Sequence, residues 1–483
     1  VLEATGGRLV GPAPSRPFAG VTTDSRSVPA GSLFVALRGE RFDGHDFAVR
    51  AREAGAAGAL VAEAAAARVA AAAGFPLIAV PDPLRALGDL AAALRRSRPL
   101  TVLAITGANG KTTTREMLAA VMARRGPLLK TEGNLNNLIG LPRTLLGLEA
   151  GVKVAVLEMG MNAFGEIARM TEIARPDVGL ITNVGPVHLE GVGSIDGVRR
   201  AKLELFHGMP AGGTAIVNAD DPRLAGGADG LPLRVVRVAL AGEPEGALAQ
   251  GKRVDVRATA GASSADGRTP LALETWAGRI ELRLPALGRH QAMNAALAAA
   301  AGLVAGAVLD DVAAGLESVE PVAGRFEQIR LGQGVLLVND AYNANPTSMA
   351  ASLTTFCGIP LPDGGQRLAA LGEMRELGQA AREAHRSLGR LAARLPLDRV
   401  FVYGEHAADV VAGAREAGWP DGRAVALGTH EAIAEAIVSR LTWGSAVFVK
   451  ASHGATMEKV AAALERRLGR HGEDRPGRPA SRD

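Results

Sequence analysis

Short apolar runs alternate along most of the chain with longer alanine-rich stretches whose apolar positions recur at helical spacing. Over residues 1–98 the runs fall at 32–37, 59–61 and 77–80, which predicts a small α/β unit. Residues 95–99, basic and ending in Pro99, read as a linker. A longer block then predicts strands at 100–105, 152–157, 178–182 and 215–217 with helices between them. Strands that alternate with helices predict a mostly parallel sheet. The pattern changes over 251–287, where polar and apolar residues alternate without a long helix, and an antiparallel excursion is expected there. Residues 291–305 return to helix, and 321–325 lead into a new strand at 334–338. The last block predicts strands at 367–371, 400–402, 424–427 and 446–449. Residues 469–483 carry almost nothing apolar and read as a disordered tail. The expected fold class is α/β in three domains, 1–98, 99–326 and 327–468.

At 483 residues the chain is too long for one ordinary core. Its 47% apolar and 22% charged content is that of a soluble globular protein, and with aromatics at 3% the cores must be packed by Ala, Val and Leu. The 54 Lys and Arg against 50 Asp and Glu leave little net charge, and no long basic run precedes the Arg-rich tail. A nucleic-acid partner is not expected, whereas an anionic small substrate is. Cys357 is the only cysteine, which excludes an intrachain disulfide and a Cys-rich zinc module and fits a reducing compartment. No run reaches the length of a membrane span; residues 295–309 come closest and read as a buried helix. The first residues lack a basic-then-apolar pattern, so a cytoplasmic protein without membrane insertion is expected.

Chemistry concentrates first at Ile105-Thr-Gly-Ala-Asn-Gly-Lys-Thr-Thr-Thr114, set between a predicted strand and a predicted helix at 113–124. Gly107, Ala108, Asn109 and Gly110 can turn backbone N–H groups onto phosphate oxygens at a helix N-terminus. Lys111 can reach the β- and γ-phosphates, Thr112 can ligate Mg²⁺, and Thr113 continues the loop. The spacing departs from the usual phosphate loop: Ile105 stands where its first glycine belongs, and Gly107 follows two residues later. In α/β sheets working residues collect at the carboxyl ends of strands. Glu158, His188 and the polar segment 339–346 all follow predicted strands. Glu158 suits Mg²⁺, a cation that prefers oxygen ligands. The residues alone favour a structural histidine at His188 over a metal ligand. At Lys202 they favour a surface lysine beside Glu204 over a site residue. The Asn-rich segment 130–142, with Asn134, Asn136 and Asn137, is open between a substrate loop and a plain one.

Taken together these segments resemble the Mur ligase superfamily, most closely its branch that adds D-alanyl-D-alanine, and the resemblance spans nearly the whole chain. Residues 106–112 resemble the family's T-G-x-N-G-K-[ST] loop, which accounts for the displaced glycine. Residues 131–142 resemble T-x-G-N-x-N-N-x-I-G-x-P, and Glu158-Met-Gly160 resembles the Mg²⁺ carboxylate motif. Residues 24–26 and 41–47 resemble the domain that holds a uridine nucleotide, and 339–346 and 371–378 resemble C-terminal segments. The resemblance implies a uridine-nucleotide domain, a central P-loop ATPase domain and a Rossmann-like C-terminal domain. It implies catalytic roles for Lys111, Glu158, His188 and Lys202, and two Mg²⁺ held by Thr112, Glu158, His188 and a carbamylated Lys202. Asn294, Arg325 and Asp340 would contact ATP; Ser25, Arg26, Asn134, Asn136, Asn137, Asn343 and Asn345 would contact substrate. Two departures stand out: Gln291 replaces a second asparagine, and Lys450-Ala-Ser-His453 replaces an expected Lys-Gly-Ser-Arg.

The implied reaction is ATP-dependent ligation of D-Ala-D-Ala to UDP-N-acetylmuramoyl-tripeptide through an acyl phosphate, by a monomer, giving the pentapeptide precursor of peptidoglycan. The rivals are a neighbouring ligase of the superfamily and a silent nucleotide-binding scaffold. The third-residue-adding ligase usually carries an Asp-Asn-Pro motif, which does not occur here. A scaffold would be expected to lose Lys111, Glu158, His188 or Lys202, and all four are present.

Overall fold

The computed structural model describes residues 1–242, 253–262, 264 and 267–470. Three sheets account for the three blocks, and each is mainly parallel with its antiparallel pairing confined to one edge. The first, five-stranded, runs Arg8–Val10, Leu77–Val80, Gly58–Ala62, Leu33–Val35, Val21–Thr22, with Arg8–Val10 antiparallel to its neighbour. The helix Pro83–Arg96 leaves it; Pro83 opens the first turn, and the Asp82 carboxylate accepts from the amides of Leu84 (2.8 Å) and Arg85 (3.3 Å). The expected linker is firmly anchored at its start: Arg95 Nε donates to the Ala174 carbonyl at 3.0 Å.

The nine-stranded middle sheet is parallel from Leu128–Lys130 through Val154–Glu158, Thr101–Thr106, Val178–Ile181, Thr214–Asn218 and Arg234–Leu240 to Val256–Ala260. Thr269–Thr275 and Gly278–Leu284 then add antiparallel strands, as the alternation over 251–287 predicts. Helix Arg289–Val304 covers one face of this sheet, and its residues 295–301 are each 0% exposed. Six of those seven side chains are alanine methyls, so helix and sheet approach closely. Gly315 of the next helix lies so near that an added Cβ would sit 2.5 Å from Val121 Cα.

The six-stranded last sheet runs Glu327–Arg330, Leu336–Asp340, Ala446–Lys450, Arg367–Leu371, Arg399–Val402, Ala424–Ala426, antiparallel only at its first pair. Two assignments shift here. Strand Leu336–Asp340 runs two residues past its predicted end, so Asp340 is its last residue rather than part of the following loop. Gly469 and Arg470, expected in the tail, are held against this sheet: the Gly332 amide donates to Gly469 O at 2.9 Å, and Arg470 bridges to Leu331. The rest of the predicted tail, 471–483, lies outside the described residues. No helix of the described residues is long and apolar enough to cross a membrane.

Candidate nucleotide and metal site

Strand Thr101–Thr106 delivers the chain into Gly107–Gly110, and helix Lys111–Ala123 begins at once. Ile105 belongs to the strand, paired with Glu158, which is why glycine is not needed there. It is needed at Gly107 (φ 146), where a Cβ would fall 1.9 Å from Thr182 Oγ, and at Gly110 (φ 82), where it would fall 2.4 Å from Asn294 Oδ1. The next strand end fastens the loop. Ala108 N donates to Asn183 O at 2.9 Å and Asn109 N to Asn183 Oδ1 at 3.0 Å, while Thr182 Oγ donates to Asn109 O at 2.5 Å. The Lys111 ammonium lies over the loop, 2.9 Å from Gly107 O. Burial pulls its pKa down, against the opposing pull of the Glu158 carboxylate.

Glu158 is 2% exposed, and both its oxygens are engaged. Arg115 donates to one at 3.1 Å and Asn136 to the other at 2.8 Å, and the Glu158 amide donates to Thr131 Oγ at 2.9 Å. The Asn-rich segment thus acts first on the protein itself. Asn137 Oδ1 accepts from the amides of Ile139 (3.1 Å) and Gly140 (2.9 Å), tying the segment to the start of helix Gly140–Leu146, and Asn134 is exposed. Arg115 went unremarked in the sequence, although it sits one helical turn from Lys111 and so on the same face.

Lys202 is 0% exposed, and its Nζ has no hydrogen-bond partner among the described residues. The surface-lysine reading fails. Glu204 turns away and accepts instead from Gly165 N (2.9 Å) and Ala168 N (3.0 Å) at the start of another helix. Burial drives the Lys202 pKa well below its usual value, and the nearby Lys111 charge adds to this against Glu158. His188 adopts a left-handed conformation (φ 52), and its Nδ1 is 2.8 Å from the Glu376 carboxylate of the last block. Among the described residues no three His, Cys, Asp or Glu side chains cluster as a ready-made metal cage. The donors present are the Thr112 hydroxyl, Glu158 and His188, with an unpartnered amine at Lys202. Such a sparse, oxygen-leaning set fits Mg²⁺, which keeps waters and phosphate oxygens among its ligands.

The last block closes over this loop. Arg325 donates to Thr112 Oγ at 3.1 Å and lies 4.0 Å over the Tyr342 ring, which in turn tilts against His453 at 5.7 Å. Asn345 Nδ2 donates to Asn109 Oδ1 at 2.6 Å, while its own Oδ1 caps helix Pro346–Cys357 at Ser348 N, 3.0 Å. Asp340 accepts from Phe326 N (3.0 Å) and from Lys450 Nζ (2.6 Å), and Lys450 also donates to Asn343 O at 3.0 Å. Lys450 is therefore an interior anchor. Between the blocks lies a cavity of about 460 Å³, lined among others by Lys111, Asn294, Arg325, Asp340, Asn343 and Asn345. Gln291, the departure noted above, also lines it and accepts from Asn294 Nδ2 at 3.0 Å. His290 beside them is pulled down to about 4 by burial, the Asp340 charge opposing. Ser25 and Arg26 line no part of this cavity. They lie in a turn of the first block, where Arg26 grips Asp24 through two hydrogen bonds of 2.9 and 2.8 Å and holds its carboxyl well below the usual range.

Family models match in the same three blocks: Mur ligase family, catalytic domain, at 17–95; Mur ligase middle domain at 105–302; and Mur ligase, glutamate ligase domain, at 324–453. The chain is 38% identical to the UDP-N-acetylmuramoyl-tripeptide–D-alanyl-D-alanine ligase of Escherichia coli K12, covering 92% of this chain and 93% of that one. It is 34% identical to the ligase of the same name from Bacillus subtilis, covering 91% and 92%. Among solved structures it resembles MurF from Acinetobacter baumannii, with a TM-score of 0.85, 32% identity and coverage of 96% and 97%. It also resembles MurF ligase from Thermotoga maritima in complex with ADP, with a TM-score of 0.77, 28% identity and coverage of 93% and 97%. By its loop, its three sheets and this likeness over almost its full length, the chain belongs to the Mur ligase family.

Proposed function

We propose that the chain is an ATP-dependent amide ligase that joins the amine of D-Ala-D-Ala to the peptide carboxylate of UDP-N-acetylmuramoyl-tripeptide. The observation that carries the reading is a nucleotide-sized cavity, floored by the P-loop and roofed by the last block, in a chain so similar to ligases of that name. A carboxylate acylates poorly because oxide would have to leave. Transfer of the γ-phosphoryl to a carboxylate oxygen releases ADP and gives an acyl phosphate; the amine then attacks the carbonyl, phosphate leaves, and the amine proton is lost to solvent. Catalysis of such a transfer is chiefly positioning and neutralisation of charge. Lys111 and the amides of residues 107–113 hold the β- and γ-phosphates. Asn294, packed against the loop at Gly110, and its partner Gln291 line the cavity and would contact the base, and Arg325 bridges loop and roof. Thr112 and Glu158 would hold one Mg²⁺, and His188 and Lys202 a second. When bound, these ions supply the positive charge that lets two anionic reactants approach.

The chain's own part is to keep those ligands set. Arg115 and Asn136 orient Glu158, while burial without a hydrogen-bond partner favours the neutral amine of Lys202 over its ammonium. That amine can add to CO₂, forming an N–C bond and losing a proton to become a carbamate with ligating oxygens. Ser25 and Arg26 lie in the block that would hold the uridine nucleotide.

An amine screen tests the function. Phosphate release would be followed with ATP, Mg²⁺ and UDP-N-acetylmuramoyl-tripeptide, adding D-Ala-D-Ala, meso-diaminopimelate, lysine or glutamate. Release that depends on D-Ala-D-Ala, with a pentapeptide product by mass, is expected. Release with another amine would move the enzyme to a neighbouring step, and no release with any would favour the scaffold.

A further inference from the structure

The segment 371–378, which resembles family sequence, leads out of strand Arg367–Leu371 toward the middle block. It is pinned at its base. Met374 N donates to His385 Nε2 at 2.9 Å, Arg375 N donates to Ser452 Oγ at 2.9 Å, and Ser452 N donates to Glu373 O at 3.0 Å. His385 Nδ1 lies 2.7 Å from Ala381 O, so that ring carries its proton on Nδ1 and accepts on Nε2. From this base the backbone turns left-handed at Glu376 (φ 63), and the carboxylate reaches out of the last block to His188 Nδ1 at 2.8 Å. His188 is left-handed as well. Two facing non-glycine residues in that region are held there only where the surroundings over-determine them.

A carboxylate on Nδ1 fixes an imidazole's proton on that nitrogen and leaves the Nε2 lone pair free. Metal-binding histidines are commonly oriented in this way. We propose that Glu376 is a positioning residue for the metal site at His188, delivered by the last block, so that this site is fully formed only when the last block is docked on the middle one. The proposal rests on the reading of His188 as an Mg²⁺ ligand. It makes docking of the last block and competence of the second metal position one event.

Mn²⁺ binding, counted by electron paramagnetic resonance with a non-hydrolysable ATP analogue and UDP-N-acetylmuramoyl-tripeptide bound, separates the possibilities. The Glu376 side chain is 56% exposed, so Glu376→Ala should fold normally. The wild type is expected to take two equivalents. Glu376→Ala should weaken the second by about 10–100-fold and spare the first. Glu376→Gln, which keeps an acceptor oxygen, should lose less. In ¹⁵N spectra of histidine-labelled protein, His188 should be the Nδ1–H tautomer in the wild type and lose that preference in Glu376→Ala. An unchanged second equivalent in Glu376→Ala, where His188→Ala abolishes it, would overturn the role of Glu376 and leave His188 a ligand. Two full equivalents in His188→Ala would overturn both.

Discussion

Lys202→Met should make the protein inactive and more stable at once. The native lysine is 0% exposed with an unpartnered Nζ, and methionine fills a similar volume without a polar atom. Burying an amine without a hydrogen bond costs about 1–3 kcal/mol by protein mutational data. For a domain the size of the middle block that corresponds to a midpoint rise of roughly 2–12 °C. The gain must depend on pH. An unfolded lysine binds its proton below about 10.5, whereas the buried one stays neutral down to its lowered pKa. Between those two pKa values the unfolded wild type binds more protons than the native one. Wild-type stability therefore rises with pH in that window, by up to about 1.4 kcal/mol per pH unit, and is lost as pH falls. The advantage of Lys202→Met should shrink as pH rises toward 10. The assay is urea unfolding of both proteins in CO₂-free buffer from pH 7 to 10, repeated at pH 7.5 with bicarbonate. Carbamate formed only on the native state should then stabilise the wild type and leave the variant unmoved. A variant less stable than the wild type without CO₂, or a gap that does not change with pH, would refute the reasoning.

Two other substitutions test the site's frame. Gly110→Ala forces a side chain into a left-handed backbone, with its Cβ 2.4 Å from Asn294 Oδ1, so Asn294 must shift within the cavity. The KM for ATP should rise about tenfold, equivalent to roughly 1.4 kcal/mol, and an unchanged KM would show that Asn294 makes no contact that matters. Lys450→Met removes the cation from a buried pair whose partner, Asp340, is 6% exposed. Unfolding should show a loss of about 3–5 kcal/mol, and a loss below about 1 kcal/mol would mean that Asp340 finds water.

What the sequence shows of this site follows from which contacts are local. Glu158 is legible because it directly follows an apolar run, and strands of a parallel sheet end on the working side, whereas Asp340, two residues past its predicted run, is singled out only by the resemblance. The displaced glycine could be flagged without a cause, since the pairing of Ile105 with Glu158 spans two separate segments. Strands Leu128–Lys130 and Glu327–Arg330 were missed because they are short and mixed in character, and Arg234–Leu240 because arginines interrupt it. Glu204 was a poor partner for Lys202 on spacing alone, because residues two apart on a helix do not face each other. The meeting of His188 with Glu376 leaves no local sign: neither is glycine, and the left-handed turns that bring them together are imposed by surroundings distant in the chain.

Asn109 and Asn345, hydrogen-bonded in the finished molecule, stand 236 positions apart. A ribosome adding about 5–20 residues per second therefore releases the phosphate loop on the order of tens of seconds before the residue that seats on it. Throughout that interval the middle block has a loop for ATP but neither the roof over it nor the residues the roof contributes. A half-made chain thus lacks Asp340, Asn343 and Asn345, which complete the cavity over the loop only once the last block has been made.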